Sequence, residues 1–408
     1  MNLPLNQSTP SVMHIDLNSC FATVEQQAYP NLRGKPIVVA AYTTPRGFVL
    51  APSIEAKRLG IKMGMTVGEA RSICPRVIVR DPDPALIRYT HSKFRALLSR
   101  YSSSVTPKSI DELVIDFEGT PYMEADLAGV GKEIKAKIRK EVGEWISCNV
   151  GIATNRFLAK LAAGLHKPDG LDIITYQNIQ GIYKTKTLID LPGINVNFQR
   201  RLQAHNIFTP LQFLEASVEI LQHRVFKSIV GRQWYQRLKG WEVDQVDFAR
   251  KSFGQNYALG QQTADPRELA KLLLKLVEKM GRRLRRANFL ARGIHLGILY
   301  TDQTYWQMSK KFITQLSTTQ ELYTKALWIL SKQPVVKRVR DISVTCFDLA
   351  VGSVEQLELF GEQDKRRKTQ RAIDEVNNKW GEFTVAYGRM LGMKDIILDR
   401  IAFGAVRD

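Results

Sequence analysis

Apolar and polar positions change rhythm three times along the chain. Through the first 175 residues, short apolar runs alternate with segments of helical spacing. Residues 12–16 (VMHID) read as a strand and residues 21–28 as a helix. Residues 36–42 (PIVVAAY) form an unbroken apolar run, as a buried strand does. Residues 55–59 and 67–73 are short helices ended by Gly or Pro. Residues 85–101 carry Leu86, Tyr89, Phe94, Leu97 and Leu98 at helical spacing, and SIDELVIDF at 109–117 is a strand. A helix at 127–142, a strand at 148–153 and a helix at 155–165 follow. Such alternation predicts an α/β domain.

From residue 176 to 240 the pattern holds short helices only. From 251 it changes again: a long amphipathic helix at 269–287, strands at 293–300 and 341–349, and a helix at 318–331. The polar stretch 244–262 is the best linker candidate, and from residue 361 a charged helix and a short apolar end close the chain. There is no internal repeat.

At 408 residues the chain exceeds one ordinary core, and two or three domains are expected. No apolar run approaches the roughly 18 residues that span a bilayer. The start, MNLPLNQSTPSV, lacks the basic and apolar regions of a secretory signal. Cys20, Cys74, Cys148 and Cys346 are too scattered for a zinc site or a disulfide framework, which fits a reducing cytoplasm. The formal net charge of +19 points to a polyanionic partner, most simply nucleic acid.

Candidate chemistry sits at two strand ends. Asp16 closes the first strand, and Asp111 and Glu112 open the apolar run of SIDELVID. Carboxylates are rarely buried unless paired or bound to metal. If the two strands are neighbours, three anions converge within about 5 Å and repel. A divalent cation resolves that cost, and hard oxygen donors select Mg²⁺ or Mn²⁺ over zinc. Two such ions about 4 Å apart could clamp an in-line phosphoryl displacement.

Several motifs resemble one family. They are H-I-D-L-N-S-C-F at 14–21, I-E-A-K-R-L-G-I-K-M-G at 54–64, S-I-D-E at 109–112 and N-V-G-I-A-T-N-R-F-L-A-K-L-A at 149–162. H-K-P-D-G at 166–170 and L-P-G-I at 191–194 complete the set. Together they resemble the Y family of translesion DNA polymerases, in its polymerase IV branch with features of the polymerase V catalytic subunit.

That resemblance implies a multidomain α+β and α/β right hand. Its parts would be a palm (1–19 and 81–175), fingers (20–80), a helix-hairpin-helix thumb (176–240), a linker (241–252), a little finger (253–350) and a C-terminal extension (351–408). It implies that Asp16, Asp111, Glu112 and the Leu17 carbonyl hold two Mg²⁺ ions, with Mn²⁺ as an alternative. Phe21 would be the steric gate against a ribose 2′-OH, with Phe48 and Leu50 over the nascent base pair. Lys57, Arg58 and Lys167 would meet the triphosphate. Two departures stand out: Ile54 replaces the Tyr of a Y-x-A-R motif, in which Lys57 also replaces Arg, and Asn18 stands where relatives have a second Asp. Lys lacks the bidentate fork of Arg.

The hairpin at Gly193 would hold a DNA phosphate through backbone N–H groups, without reading sequence. The long helix carries Lys271, Lys275, Lys279, Arg282, Arg283, Arg285, Arg286 and the following Arg292 against Glu278, with a face of Leu269, Leu272, Leu273, Leu276, Met280 and Leu284. The resemblance lays it along the template, Arg282, Arg283, Arg285 and Arg286 foremost. Gln356-Leu357-Glu358-Leu359-Phe360 has the pattern of a sliding-clamp peptide, through Gln356, Leu357, Leu359 and Phe360. The expected partners are primer–template DNA, deoxynucleoside triphosphates and the clamp. A cytoplasmic monomer without proofreading is expected. Two rivals stay open at this point: a catalytically silent clamp adaptor of the same family, and a non-enzymatic nucleic-acid-binding protein.

Overall fold

The computed structural model describes residues 3–244, 250–352, 362–393 and 396–397. Among these, one compact unit covers 3–244 and a second covers 250–397.

The strands of the first unit are β1 (Val12–Leu17), β2 (Ile37–Ala40), β3 (Val49–Pro52), β4 (Ile78–Arg80), β5 (Val105–Pro107), β6 (Glu112–Asp116), β7 (Cys148–Ala153) and β8 (Leu171–Ile173). Five of them form one sheet in the order β5-β6-β1-β7-β8. β1 runs antiparallel to both neighbours, and only β8 lies parallel to the strand beside it. The alternation of strands and helices along the chain thus builds a mostly antiparallel sheet. Period-2 side chains explain its two faces. Met13, Ile15, Leu17, Leu113, Ile115, Val150 and Ile152 share one buried core with residues of the Cys20–Ala28, Pro84–Leu98 and Leu127–Lys137 helices. Burying each such side chain contributes about 1.5–3 kcal/mol. The Arg156–Ala162 helix packs on the sheet at Gly151, where a Cβ would fall 2.1 Å from the Ala159 carbonyl oxygen. Gly is required there for close approach.

β3-β2-β4 make a separate small sheet over Val38, Val49, Ala56, Ile61 and Ala70. Helices Ile179–Lys184, Val196–Gln203, Pro210–Glu215 and Ile229–Leu238 follow, packed with Phe157 and Leu158 into a third core. The hairpin before Val196 begins with a single 3₁₀ turn, Leu188–Asp190, rather than a full helix. Gly193 takes φ +94°, which its lack of a Cβ permits. The long helix expected over 127–142 is α-helical only to Lys137 and ends in a π turn, Ile138–Val142. Tyr89, expected on the inner face of its helix, is exposed, while His91 is buried in its place.

In the second unit β9 (Ser252–Thr263), β10 (Phe289–Tyr300), β11 (Tyr305–Leu316) and β12 (Val339–Val351) form an antiparallel sheet in the order β11-β10-β12-β9. β9 overlaps the stretch read as linker, and β11 was no part of the expected pattern. The helices Pro266–Arg286 and Thr319–Leu330 share one core with Ile294, Leu296, Ile298, Ile342 and Val344. All six apolar residues assigned to the long helix are buried there. A C-terminal helix, Glu362–Trp380, then turns so that Met390, Met393 and Ile397 join the same core. The buried Lys275 ammonium donates to the Met393 carbonyl at 2.5 Å and to that of Ile396. Arg285 forms a two-pronged pair with Asp374 at 2.6 and 2.9 Å. Arg282 reaches Asn378 at 2.9 Å and Glu382 at 3.2 Å. Residues 362–393 are therefore a layer of this unit, laid over much of the cationic face of the long helix.

Candidate active site

The register of β1 and β6 places Asp16 opposite Glu112. The Leu17 N–H donates to the Asp111 carbonyl at 3.0 Å. All three carboxylates thus lie at one end of one strand pair. Ser109 sets the start of the second strand: its hydroxyl donates to Asp111 Oδ1 at 2.5 Å and accepts from the Glu112 N–H at 3.1 Å. Leu113 and Ile115 face the core, so the Asp-Glu start is the polar rim of an apolar strand.

Each outer acid takes a lysine. Lys167 pairs with Asp16. Lys160, from the helix over Gly151, donates to both Glu112 oxygens at 2.7 and 3.0 Å. Asp111 has no such cation. Burial raises its pKa above the ordinary carboxylate range, the Ser109 hydrogen bond opposes this, and the charges of Asp16 and Glu112 add to the rise. His14 Nε2 lies 3.8 Å from Glu112, but burial and then Lys160 push the imidazole down to about 3. It is neutral near pH 7, and this contact is not an ion pair there.

The loop bearing Lys167 is anchored behind the acids. Asp169 pairs with Lys135 and Arg139. The Gly170 N–H donates to Asn149 Oδ1 at 3.0 Å. Asn149 Nδ2 donates to Asn18 Oδ1 at 2.5 Å, and Asn18 Nδ2 donates to the Ser147 hydroxyl at 3.0 Å. Asn18, the departure from a second Asp, is thus a buried link between β1 and the lysine loop. Lys57 joins the same electrostatic group: burial and then Lys167 lower its pKa, while Asp16 and Asp111 pull it back up. Arg58 is exposed.

Among the described residues, no three Asp, Glu, His or Cys side chains stand together as a ready metal cluster. The carboxylates share a strand end, where Asp16 and Glu112 each meet a lysine. The donor set still fits a divalent cation. It is all hard oxygen, and the charges of Asp16 and Glu112, which add to the effect of burial on Asp111, are a repulsion that such an ion would relieve. Phe21 is 2% exposed, in the first turn of its helix and within the sheet core. Phe48 is exposed and Leu50 half-buried.

Family models match most of this architecture. Residues 15–164 match the impB/mucB/samB family, and residues 250–359 match the C-terminal domain of that family. The chain belongs to the impB/mucB/samB family of Y-family DNA polymerases. A DNA polymerase IV of Moorella thermoacetica is 32% identical over 91% of this chain and 94% of its own length. That of Pelotomaculum thermopropionicum is 29% identical over 95% of this chain and 97% of its own. A solved Y-family DNA polymerase chimera of Dbh and Dpo4 has 25% identity and a TM-score of 0.72, covering 83% of this chain and 99% of the chimera. Membership makes the chain a DNA-directed DNA polymerase of the translesion class, a nucleotidyltransferase. Y-family polymerases use divalent metal ions.

Of the arginines expected along the template, Arg282 and Arg285 are held by Glu382, Asn378 and Asp374. Arg283 and Arg286 are exposed, and Arg283 donates to the Gly254 carbonyl at 3.0 Å. Gln356, Leu357, Leu359 and Phe360 lie outside the described residues. Sequence reading missed Lys160, Ser109 and Asn149. Lys160 lies in the L-A-K block, one turn beyond Arg156, so its motif was visible although its partner was not. No helix among the described residues is long and apolar enough to cross a membrane.

Proposed function

We propose that the chain extends primers by two-metal nucleotidyl transfer at the end of β1 and β6, with low fidelity and no proofreading. The observation that supports this most is the register pair Asp16–Glu112 with Asp111 beside it and Lys167 within reach. Asp16, Asp111, Glu112 and the Leu17 carbonyl are the residues that would hold two Mg²⁺ or Mn²⁺ ions. When bound, such ions lower the pKa of the primer 3′-OH and neutralise the triphosphate. Lys167 and Lys57 bind the triphosphate oxygens, with Arg58 as an outer cation. Lys160 holds Glu112 in place through both of its oxygens. His14, neutral and buried, leaves the local charge to the lysines. Gly193, Arg283 and Arg286 meet DNA phosphates. Residues 356–360 dock on a sliding clamp, and the chain acts as a monomer in the cytoplasm.

Primer extension on a primed template with four deoxynucleotides tests this. Extension with Mg²⁺ that EDTA abolishes is expected. No extension, with tight primer–template binding retained and the clamp present, would sink the reading in favour of an adaptor.

Two further outcomes follow from named contacts. Asn149→Ala removes the acceptor for Gly170 N–H and the donor to Asn18. Losing one buried hydrogen bond costs about 1–3 kcal/mol, so the KM for deoxynucleotides should rise about tenfold as the Lys167 loop loosens. Steady-state kinetics with an unchanged KM would remove Asn149 from the positioning of that loop. Phe21→Leu shrinks the ring without emptying the core. Ribonucleotide use relative to deoxynucleotide should rise at least about tenfold, equivalent to 1.4 kcal/mol of lost discrimination. An unchanged ratio would leave Phe21 a core residue only.

A further inference from the structure

The second unit holds a cavity of about 330 Å³ that contains none of the carboxylates of the candidate active site. Its walls are the end of the Pro266–Arg286 helix, the start of β10, the Ser317–Thr318 turn and one side of the Glu362–Trp380 helix. Three acids line it: Asp374 pairs with Arg285, Glu382 with Lys279 and Arg282, and Glu375 is exposed at the rim. Cationic side chains outnumber these acids on its walls. Arg286 and Arg367 pair with no carboxylate among the described residues. Arg367 Nε is shielded from water and has no hydrogen-bond partner. Ser317 is only 6% exposed, and its hydroxyl oxygen likewise has none. A buried donor without an acceptor costs about 1–3 kcal/mol, and two on the wall of one cavity call for a shared acceptor.

Among the described residues no carboxylate fills that role; a tetrahedral oxyanion would. A guanidinium fork matches phosphate oxygens in two-pronged fashion, and a serine hydroxyl supplies a third donor. The volume lies at the lower end of small-ligand sites. It suits a chain of two or three phosphates. Seven cationic side chains against three carboxylates argue against a metal cation as the occupant.

We propose that this cavity is a second anion site, which binds a free small polyphosphate through Arg367 and Ser317. The C-terminal helix supplies Arg367, so the site exists only where that helix docks on the long basic helix.

The test is calorimetric titration of inorganic tripolyphosphate into the full chain, in EDTA, at fixed ionic strength. Saturable binding of one equivalent is expected. Arg367→Gln should weaken it at least about tenfold, as loss of a charge-assisted hydrogen bond does, and Ser317→Ala should weaken it less. Lys167→Ala, at the palm site, should leave it unchanged. Arg367 has no partner to lose among the described residues, so Arg367→Gln should melt no lower than the parent. Should it unfold, Arg367→Lys, which keeps the charge and loses the two-pronged fork, reads the same loss. Four results would overturn the proposal: undiminished affinity in Arg367→Gln, loss in Lys167→Ala, equal binding of sulfate, or full displacement by primer–template DNA. The last would make the cavity part of the DNA track.

Discussion

Primer extension should fall by at least about three orders of magnitude when Asp111 is replaced by asparagine, while the fold is kept or strengthened. The loss follows from the charge that the site would present. Preorganised charge at a phosphoryl-transfer centre contributes several kcal/mol to the barrier, and each 1.36 kcal/mol is tenfold in rate. Asparagine keeps the shape and the acceptor for Ser109 and removes only the anion. The stability sign is worked out from the raised pKa of Asp111. A carboxyl whose folded pKa lies above its unfolded value binds more protons folded than unfolded, so its ionisation destabilises the fold as pH rises through that interval. At neutral pH, without metal, the wild-type carboxylate therefore costs stability, and Asp111→Asn should melt at the same temperature or higher in EDTA. Activity lost together with a lowered melting temperature would mean that the residue serves the fold. Activity retained would remove Asp111 from the chemistry.

That opposition between site and fold was visible in the sequence. SIDELVID puts two acids on an apolar strand, and β6 is that strand. What the sequence could not supply was the neighbour. Lys160, Lys167 and Asn149 reach the acids from elements that meet them only through sheet register and the close approach at Gly151. The same limit applies in the second unit. β9 and β11 are the edge strands of their sheet. Edge strands avoid pairing with other chains by carrying polar and charged side chains. Gln261 and Gln262 of β9, and Lys310 and Lys311 of β11, are exposed accordingly. A thin hydrophobic signal made one edge read as linker and left the other unseen, while the central strands β10 and β12 were legible at once. The basic helix shows a third form of the limit. Its charge is written in the sequence, but the acids that claim Arg282 and Arg285 lie about ninety residues on, in a segment whose composition suggests only a solvated helix.

Removing the guanidinium of Arg156 should destabilise the first unit by about 3 kcal/mol, the cost of breaking a buried ion pair from one side. Arg156 opens the helix over the sheet and is almost wholly buried. It lies 3.3 Å from Asp116, at the end of β6, and 2.8 Å from Glu242, which also accepts the Arg156 backbone N–H at 3.0 Å. Its neighbours complete a clasp: Asn155 donates to the carbonyls of Arg237 and Trp241, and Thr154 to that of Gly240. Arg156→Met preserves volume and packing, so the loss reports charge. Glu242 has access to water and rehydrates; Asp116 is buried and does not. Without its cation the buried Asp116 carboxylate is left uncompensated. Urea unfolding at pH 7 checks this: the variant should be far less stable than the parent. The double variant Arg156→Met/Asp116→Leu should recover at least half of the loss at pH 7, since an apolar pair replaces a buried charge without its desolvation cost. A single variant within about 0.5 kcal/mol of the parent would mean that water reaches Asp116 and that the clasp rests on Asn155 and Thr154 alone.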